Sequence, residues 1–173
     1  MNTNKSFVFL DLETTGYNPT KDMIYQIGVV RYSKGAPTQS YATYVNPACQ
    51  LLPLVRSCTD YEIQSLRNAP TITQVIMLLR EVIGHDTIVG HNVRFDLRFL
   101  AYACRLYGLS PIDNDWIDTL PLVRQLLPGK KHYKLSDVAM YLGIHSSVTH
   151  DALDDAFVTS QVFFALEALQ GGS

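Results

Sequence analysis

Phe7-Val8-Phe9-Leu10-Asp11-Leu12-Glu13-Thr14-Thr15-Gly16 is an apolar run that turns acidic just before a glycine. The β-rich composition of Phe7 to Leu10 reads as a buried strand. A period of two places Phe7, Phe9, Asp11 and Glu13 on one of its faces. Two carboxylates therefore point the same way, about 6 to 7 Å apart at the backbone. Ionised carboxylates at the end of a buried strand are costly unless something positive compensates them. Taken alone, the pair also fits a solvated strand end followed by an ordinary turn, so its meaning depends on which other acids meet it.

The surrounding chain has 173 residues and 47% hydrophobic content, enough for one domain with a sizeable core. We assign residues 1–170 to that domain and 171–173 to a flexible tail. A formal net charge of -2 excludes the global basic footprint of a loose nucleic-acid binder, so an anionic substrate must be held locally. Cys49, Cys58 and Cys104 are odd in number and widely spaced, which argues against a disulfide framework or a zinc site. The sequence contains neither a signal peptide nor a membrane span, and the expectation is a cytoplasmic protein.

Along the chain, Met23 to Tyr32 is rich in β-branched and aromatic residues and ends in Ser33-Lys34-Gly35, and Ser40 to Val45 follows as another strand. The first three strands should form an antiparallel meander. Thr59-Asp60-Tyr61-Glu62 begins a short helical turn, and Ala69-Pro70-Thr71 sets up a helix that stops at Gly84. Thr87 to Gly90 reads as a short buried strand, Arg94 to Tyr107 as a helix, and Trp116-Ile117 as an extended piece. Asp118-Thr119 can cap a helix through Leu127, Ser136 to Leu142 forms another, and Asp151 to Leu169 the last.

Helical spacing then selects two further acids. Arg94, Arg98 and Arg105 mark the wet side of their helix, whereas Asp96 lines up with Leu100, Ala103 and Tyr107 and projects inward. The run His150-Asp151-Ala152-Leu153-Asp154-Asp155 offers three aspartates. Asp151 suits the N-cap, Asp154 the solvated dipole-compensating position, and Asp155 shares a stripe with Val158, Val162, Leu166 and Leu169. Next to an acid cluster, His150 becomes a candidate base.

Asp11-Leu12-Glu13-Thr14-Thr15-Gly16, His91-Asn92-Val93-Arg94-Phe95-Asp96 and His150-Asp151-Ala152-Leu153-Asp154-Asp155-Ala156, in that order, resemble the three motifs of the DEDDh branch of the DnaQ-like 3′ to 5′ exonucleases. The resemblance implies an α/β, ribonuclease H-like fold: a mixed five-stranded sheet with helices on both faces. It also implies two Mg²⁺ or Mn²⁺ ions on Asp11, Glu13, Asp96 and Asp155, with His150 as the base that deprotonates the attacking water. Substrate contacts are implied at Thr14, Thr15, Gly16, Thr59, His91, Asn92 and Phe95. The chain departs from the family pattern at Cys58-Thr59 and at Asp151, which adds negative charge beside the candidate base.

The implied substrate is the 3′ end of single-stranded DNA, with RNA as the alternative and a DNA polymerase subunit as an implied partner. A non-catalytic module that binds nucleic acid or a polymerase is the competing class. Lys130, Lys131, His132, Tyr133 and Lys134 form the densest basic stretch. It reads either as an exposed loop or as a holder of backbone phosphates.

Overall fold

The computed structural model describes residues 5–46, 60–145 and 150–171. Strand β1 (Ser6–Thr14) is the centre of a five-stranded sheet that also contains β2 (Ile24–Ser33), β3 (Ala36–Tyr44), β4 (Thr87–Gly90) and β5 (Trp116–Asp118). The strand order is β3-β2-β1-β4-β5. The first three strands pair antiparallel, as the meander reading anticipates, and β4 and β5 join parallel, so the sheet is mixed. The β2–β3 turn is tighter than expected. Lys34 and Gly35 both have positive φ, 52° and 78°, the geometry of a two-residue hairpin. That geometry lets β3 begin at Ala36 instead of Ser40.

Among the described residues, six helices complete the order: α1 (Asp60–Asn68), α2 (Ile72–Ile83), α3 (Arg94–Leu106), α4 (Thr119–Leu126), α5 (Leu135–Tyr141) and α6 (Ala152–Gly171). The short turn expected after Thr59 is a nine-residue helix. Thr59 itself lies outside the described residues, as do Cys49 and Cys58, while Cys104 is a buried free thiol. Gly171 belongs to α6 and not to a tail.

The alternation of β1 divides the core. Val8, Leu10 and Leu12 point into the layer that holds α2 and α3, with Ile76, Leu79, Phe99 and Leu100. Phe9 points the other way, against Val30, Tyr32, Ala156 and Phe163, and α6 covers that side. Helices α4 and α5 pack on the outer flank of α6 through Val123, Val138, Val162 and Leu166. Both ends of the two predicted stripes are corrected. Tyr107 is 49% exposed and Leu169 46%, because each stands where its helix has run past the sheet.

Helix α6 meets the sheet at one unusually close point. Gly28 is paired with Asp11 across the β1–β2 ladder. A Cβ at Gly28 would collide with the backbone of Ala152 and Leu153. Only glycine lets the start of α6 lie directly on β2, and that contact aims the first turn of the helix at Asp11.

Candidate active site

The tip of β1 gathers the acids. Asp11 and Glu13 leave the strand on the α6 side, opposite Gly28 and Gln26 in the register. Pairing of β1 with β4 ends at Phe9–Val89, so the last residues of β1 overhang their parallel neighbour. Asp96, in the first turn of α3, takes the place of that missing strand: its Oδ1 accepts the Leu12 N–H at 3.2 Å. Asp96 is only 4% exposed, and Asp155, in the first turn of α6, is 7% exposed. Asp154 faces solvent, as its position in the helical wheel requires.

The electrostatics show these groups sensing one another. Burial pushes the Asp11 carboxyl well above the usual carboxylate range, and the neighbouring charges of Asp96, Asp155, Glu13 and Asp151 push it further. Burial likewise pushes Asp96 well up, although its own N–H and that of Leu12 oppose the shift by favouring the anion. Glu13 is raised by burial, with His150 and a 3.4 Å hydrogen bond from the Tyr25 hydroxyl pulling the other way. The charges acting on Asp11 from Asp96, Asp155, Glu13 and Asp151 are all negative. Concentrated negative charge rich in carboxylate oxygens is the environment that hard divalent ions neutralise. Glu13, His150 and Asp155 each offer an atom within 4.8 Å of the others, a spacing that suits one ion.

His150 is exposed, one residue ahead of the α6 cap, with φ of 56°. Left-handed backbone at a non-glycine residue is uncommon and concentrates at functional sites. Asp151 holds the helix start. Its Oδ1 accepts the N–H groups of Leu153 at 3.0 Å and Asp154 at 3.3 Å, and its Oδ2 accepts from Gln26 Nε2 at 2.7 Å.

The turn after β1 is closed on itself. Thr14 Oγ1 donates to the Gly16 carbonyl at 2.7 Å, Thr15 Oγ1 accepts the Met23 N–H at 3.0 Å, and the Thr15 N–H donates to the Met23 carbonyl at 2.9 Å. The Asp22 carboxylate lies where a Cβ of residue 16 would be, the steric reason for Gly16. Phe95 packs between the rings of Tyr17 and Phe99, at centroid distances of 6.2 and 5.0 Å. Asn92 is exposed in a left-handed turn, its N–H donating to Asp118 Oδ1 at 2.9 Å.

The structure engages the His91 ring within the protein. Its Nε2 donates to the Tyr133 carbonyl at 2.7 Å, and its Nδ1 lies 2.8 Å from Thr119 Oγ1. Both ring nitrogens are spent inside the protein, and burial lowers the pKa, so the neutral ring acts as a latch between β4, α4 and the basic loop. Lys130, Lys131, His132 and Lys134 remain exposed on that loop, while the Tyr133 hydroxyl turns inward to the Leu127 carbonyl at 3.0 Å.

A family model described as exonuclease matches residues 8–163, a span that contains the β1 tip, α3 and the start of α6. The chain belongs to this family, the DnaQ-like 3′–5′ exonucleases of DEDDh type. The DNA polymerase III subunit epsilon of Aquifex aeolicus is 30% identical over 161 residues, covering 93% of this chain and 80% of that protein. The DNA polymerase III PolC-type of Clostridium perfringens is 33% identical over 156 residues, 90% of this chain but 11% of the larger protein. The 3′-5′ exonuclease DinG of Bacillus subtilis is 31% identical over 161 residues, 92% of this chain and 17% of that one. This chain therefore spans most of the epsilon relative and a small part of the other two. Exonuclease I of E. coli, solved with a dA16 oligonucleotide, superposes with a TM-score of 0.80 at 21% identity, over 98% of this chain and 42% of that one. That likeness is one of fold.

Two residues of this exonuclease site escaped the sequence reading. Tyr25 is the extra residue of a bulge, since Glu13 pairs with Gln26 but Thr14 with Ile24. The bulge turns its hydroxyl to Glu13, and nothing in the composition of β2 signals it. Gln26 is a buried polar residue in an apolar strand, 7% exposed. That oddity was visible in Ile24-Tyr25-Gln26-Ile27 and is the kind of signal that marks a buried partner.

Proposed function

We propose that this chain hydrolyses DNA from single-stranded 3′ ends to 5′-mononucleotides. The observation that carries the reading is the convergence of Asp11, Glu13, Asp96 and Asp155, from three remote segments, on a spot where burial and neighbouring carboxylates raise Asp11, Glu13 and Asp96. Two Mg²⁺ or Mn²⁺ ions held by these four carboxylates would stabilise charge on the phosphoryl oxygens and acidify the attacking water. His150, exposed at the mouth of the cluster, accepts the water proton on neutral imidazole. The half-buried turn of Thr14 to Gly16, directly after Glu13, receives the terminal nucleotide. Tyr17, 86% exposed and set edge-on to Phe95, offers a ring face to its base. Lys130, Lys131 and Lys134 take the phosphates of the incoming strand.

The names of the epsilon and PolC-type relatives both include DNA polymerase III, which supports work beside a replicative polymerase. The exonuclease name of the DinG relative supports the direction of cleavage. The test follows 5′-labelled single-stranded DNA and the matched RNA with Mg²⁺, with Mn²⁺ and with EDTA. Stepwise shortening of the DNA from its 3′ end, abolished by EDTA, is the expected result. Intact DNA in every lane removes the proposal, and faster shortening of the RNA reassigns the substrate.

A further inference from the structure

Gln26 is buried on β2, directly across the ladder from Glu13, and its side-chain amide faces the start of α6. The orientation of that amide is fixed by chemistry. Asp151 Oδ2, 2.7 Å away, can only accept, so the NH₂ end must point to it, leaving Oε1 for the Ala152 N–H at 3.4 Å. The other oxygen of Asp151 caps α6, and its main-chain carbonyl accepts the Asp155 N–H at 2.9 Å. One side chain thus ties the strand neighbour of Glu13 to the residue after His150 and to the turn that carries Asp155.

We propose that Gln26 is a positioning residue for the exonuclease reaction, which holds the His150 loop and the Asp155 turn in register with Glu13 through its neutral amide pairing with Asp151. The inference rests on the function proposed above. Neutrality is part of it. Asp151 already lies among acids, adding its charge to Asp11 and Glu13. An isosteric carboxylate at position 26 would set two anions against each other at 2.7 Å with no donor between them. The repulsion would release the helix start without altering the volume of the core.

The test is Gln26→Glu, assayed at neutral pH on a single-stranded DNA 3′ end alongside the double variant Gln26→Glu/Asp151→Asn. In Gln26→Glu we expect kcat to fall by at least about tenfold with KM within about threefold of the parent, and the amide resonances of Ala152, Leu153 and Asp154 to shift in the metal-free protein. The double variant restores a donor facing an acceptor, and kcat should return to within about threefold of the parent. An unchanged kcat in Gln26→Glu, or a double variant no faster than the single one, overturns the proposal. If Gln26→Glu does not fold, as judged by circular dichroism, Gln26→Leu takes its place. Loss of kcat with KM held then supports positioning, and an unchanged kcat overturns it. A parent protein that degrades no oligonucleotide would instead defeat the exonuclease reading, while the amide resonances still judge whether Gln26 holds the helix start.

Discussion

Two side chains of the third motif divide its work by their backbone. His150 adopts φ of 56° because the next residue is pinned, Asp151 being bound through both carboxylate oxygens. The left-handed turn lifts the imidazole out of the α6 stripe and leaves it exposed next to Glu13 and Asp155. General-base catalysis is typically worth about 10²–10⁴-fold. His150→Ala should therefore lose about that much turnover while binding of a labelled oligonucleotide in Ca²⁺ stays near the parent level. The check is single-turnover kinetics beside fluorescence anisotropy. Undiminished turnover would take the histidine out of the chemistry.

At the scale of elements, the decisive contact is α6 against β2. Gly28 lacks the Cβ that would strike the backbone of Ala152 and Leu153, and it faces Asp11 across the ladder. Gly28→Ala must push the helix start outward, since backbone atoms cannot rotate away as a side-chain end can. Overpacking of this kind costs about 1–3 kcal/mol. In a chain of this size, each kcal/mol appears as roughly 2–4 °C in Tm. We expect a lowered Tm and a loss of turnover larger than the stability change explains, because Asp155 leaves with the helix. Calorimetry and oligonucleotide turnover on the same sample measure both, and a full-activity variant would show that the helix can shift without harm.

The same contact marks how far the sequence could be read. The strand pattern, the inward Asp96 and the choice of Asp155 over Asp154 followed from periods of two and 3.6, which are local properties. Asp118 as a cap was legible for the same reason, and its carboxylate accepts the Leu120 N–H at 2.9 Å. What stayed hidden depends on long-range register. The bulge that turns Tyr25 to Glu13, the pairing of Gln26 with Asp151 across 125 positions, and the latch from His91 to Tyr133 have no local signature. The ring of His91 is engaged by Thr119 and Tyr133, partners 28 and 42 positions away that its motif does not announce.

Over the whole molecule, the acid cluster links catalysis to stability. Asp11 and Asp96 carry folded-state pKa values well above their ordinary ones, burial being the first cause of each. Groups raised in this way favour the fold most below their unfolded value, about 3.9, and that contribution is lost as pH rises through the folded values. The metal-free protein should therefore lose part of its stability on going from acid to neutral pH. Divalent ions held by the proposed site would bind the deprotonated carboxylates and stabilise by mass action, so their effect on Tm should grow over the same interval. Melting curves in EDTA and in Mg²⁺ or Mn²⁺, at pH 5 and pH 8, measure both trends. Asp11→Asn removes one of the crowded charges. It should raise the metal-free Tm at pH 8, change it less at pH 5, shrink the metal-induced shift and abolish turnover. A metal shift equal at both pH values, or an Asp11→Asn protein that melts below the parent in EDTA at pH 8, would mean that the cluster is not held against its own repulsion, and the case for a bound cation there would fail.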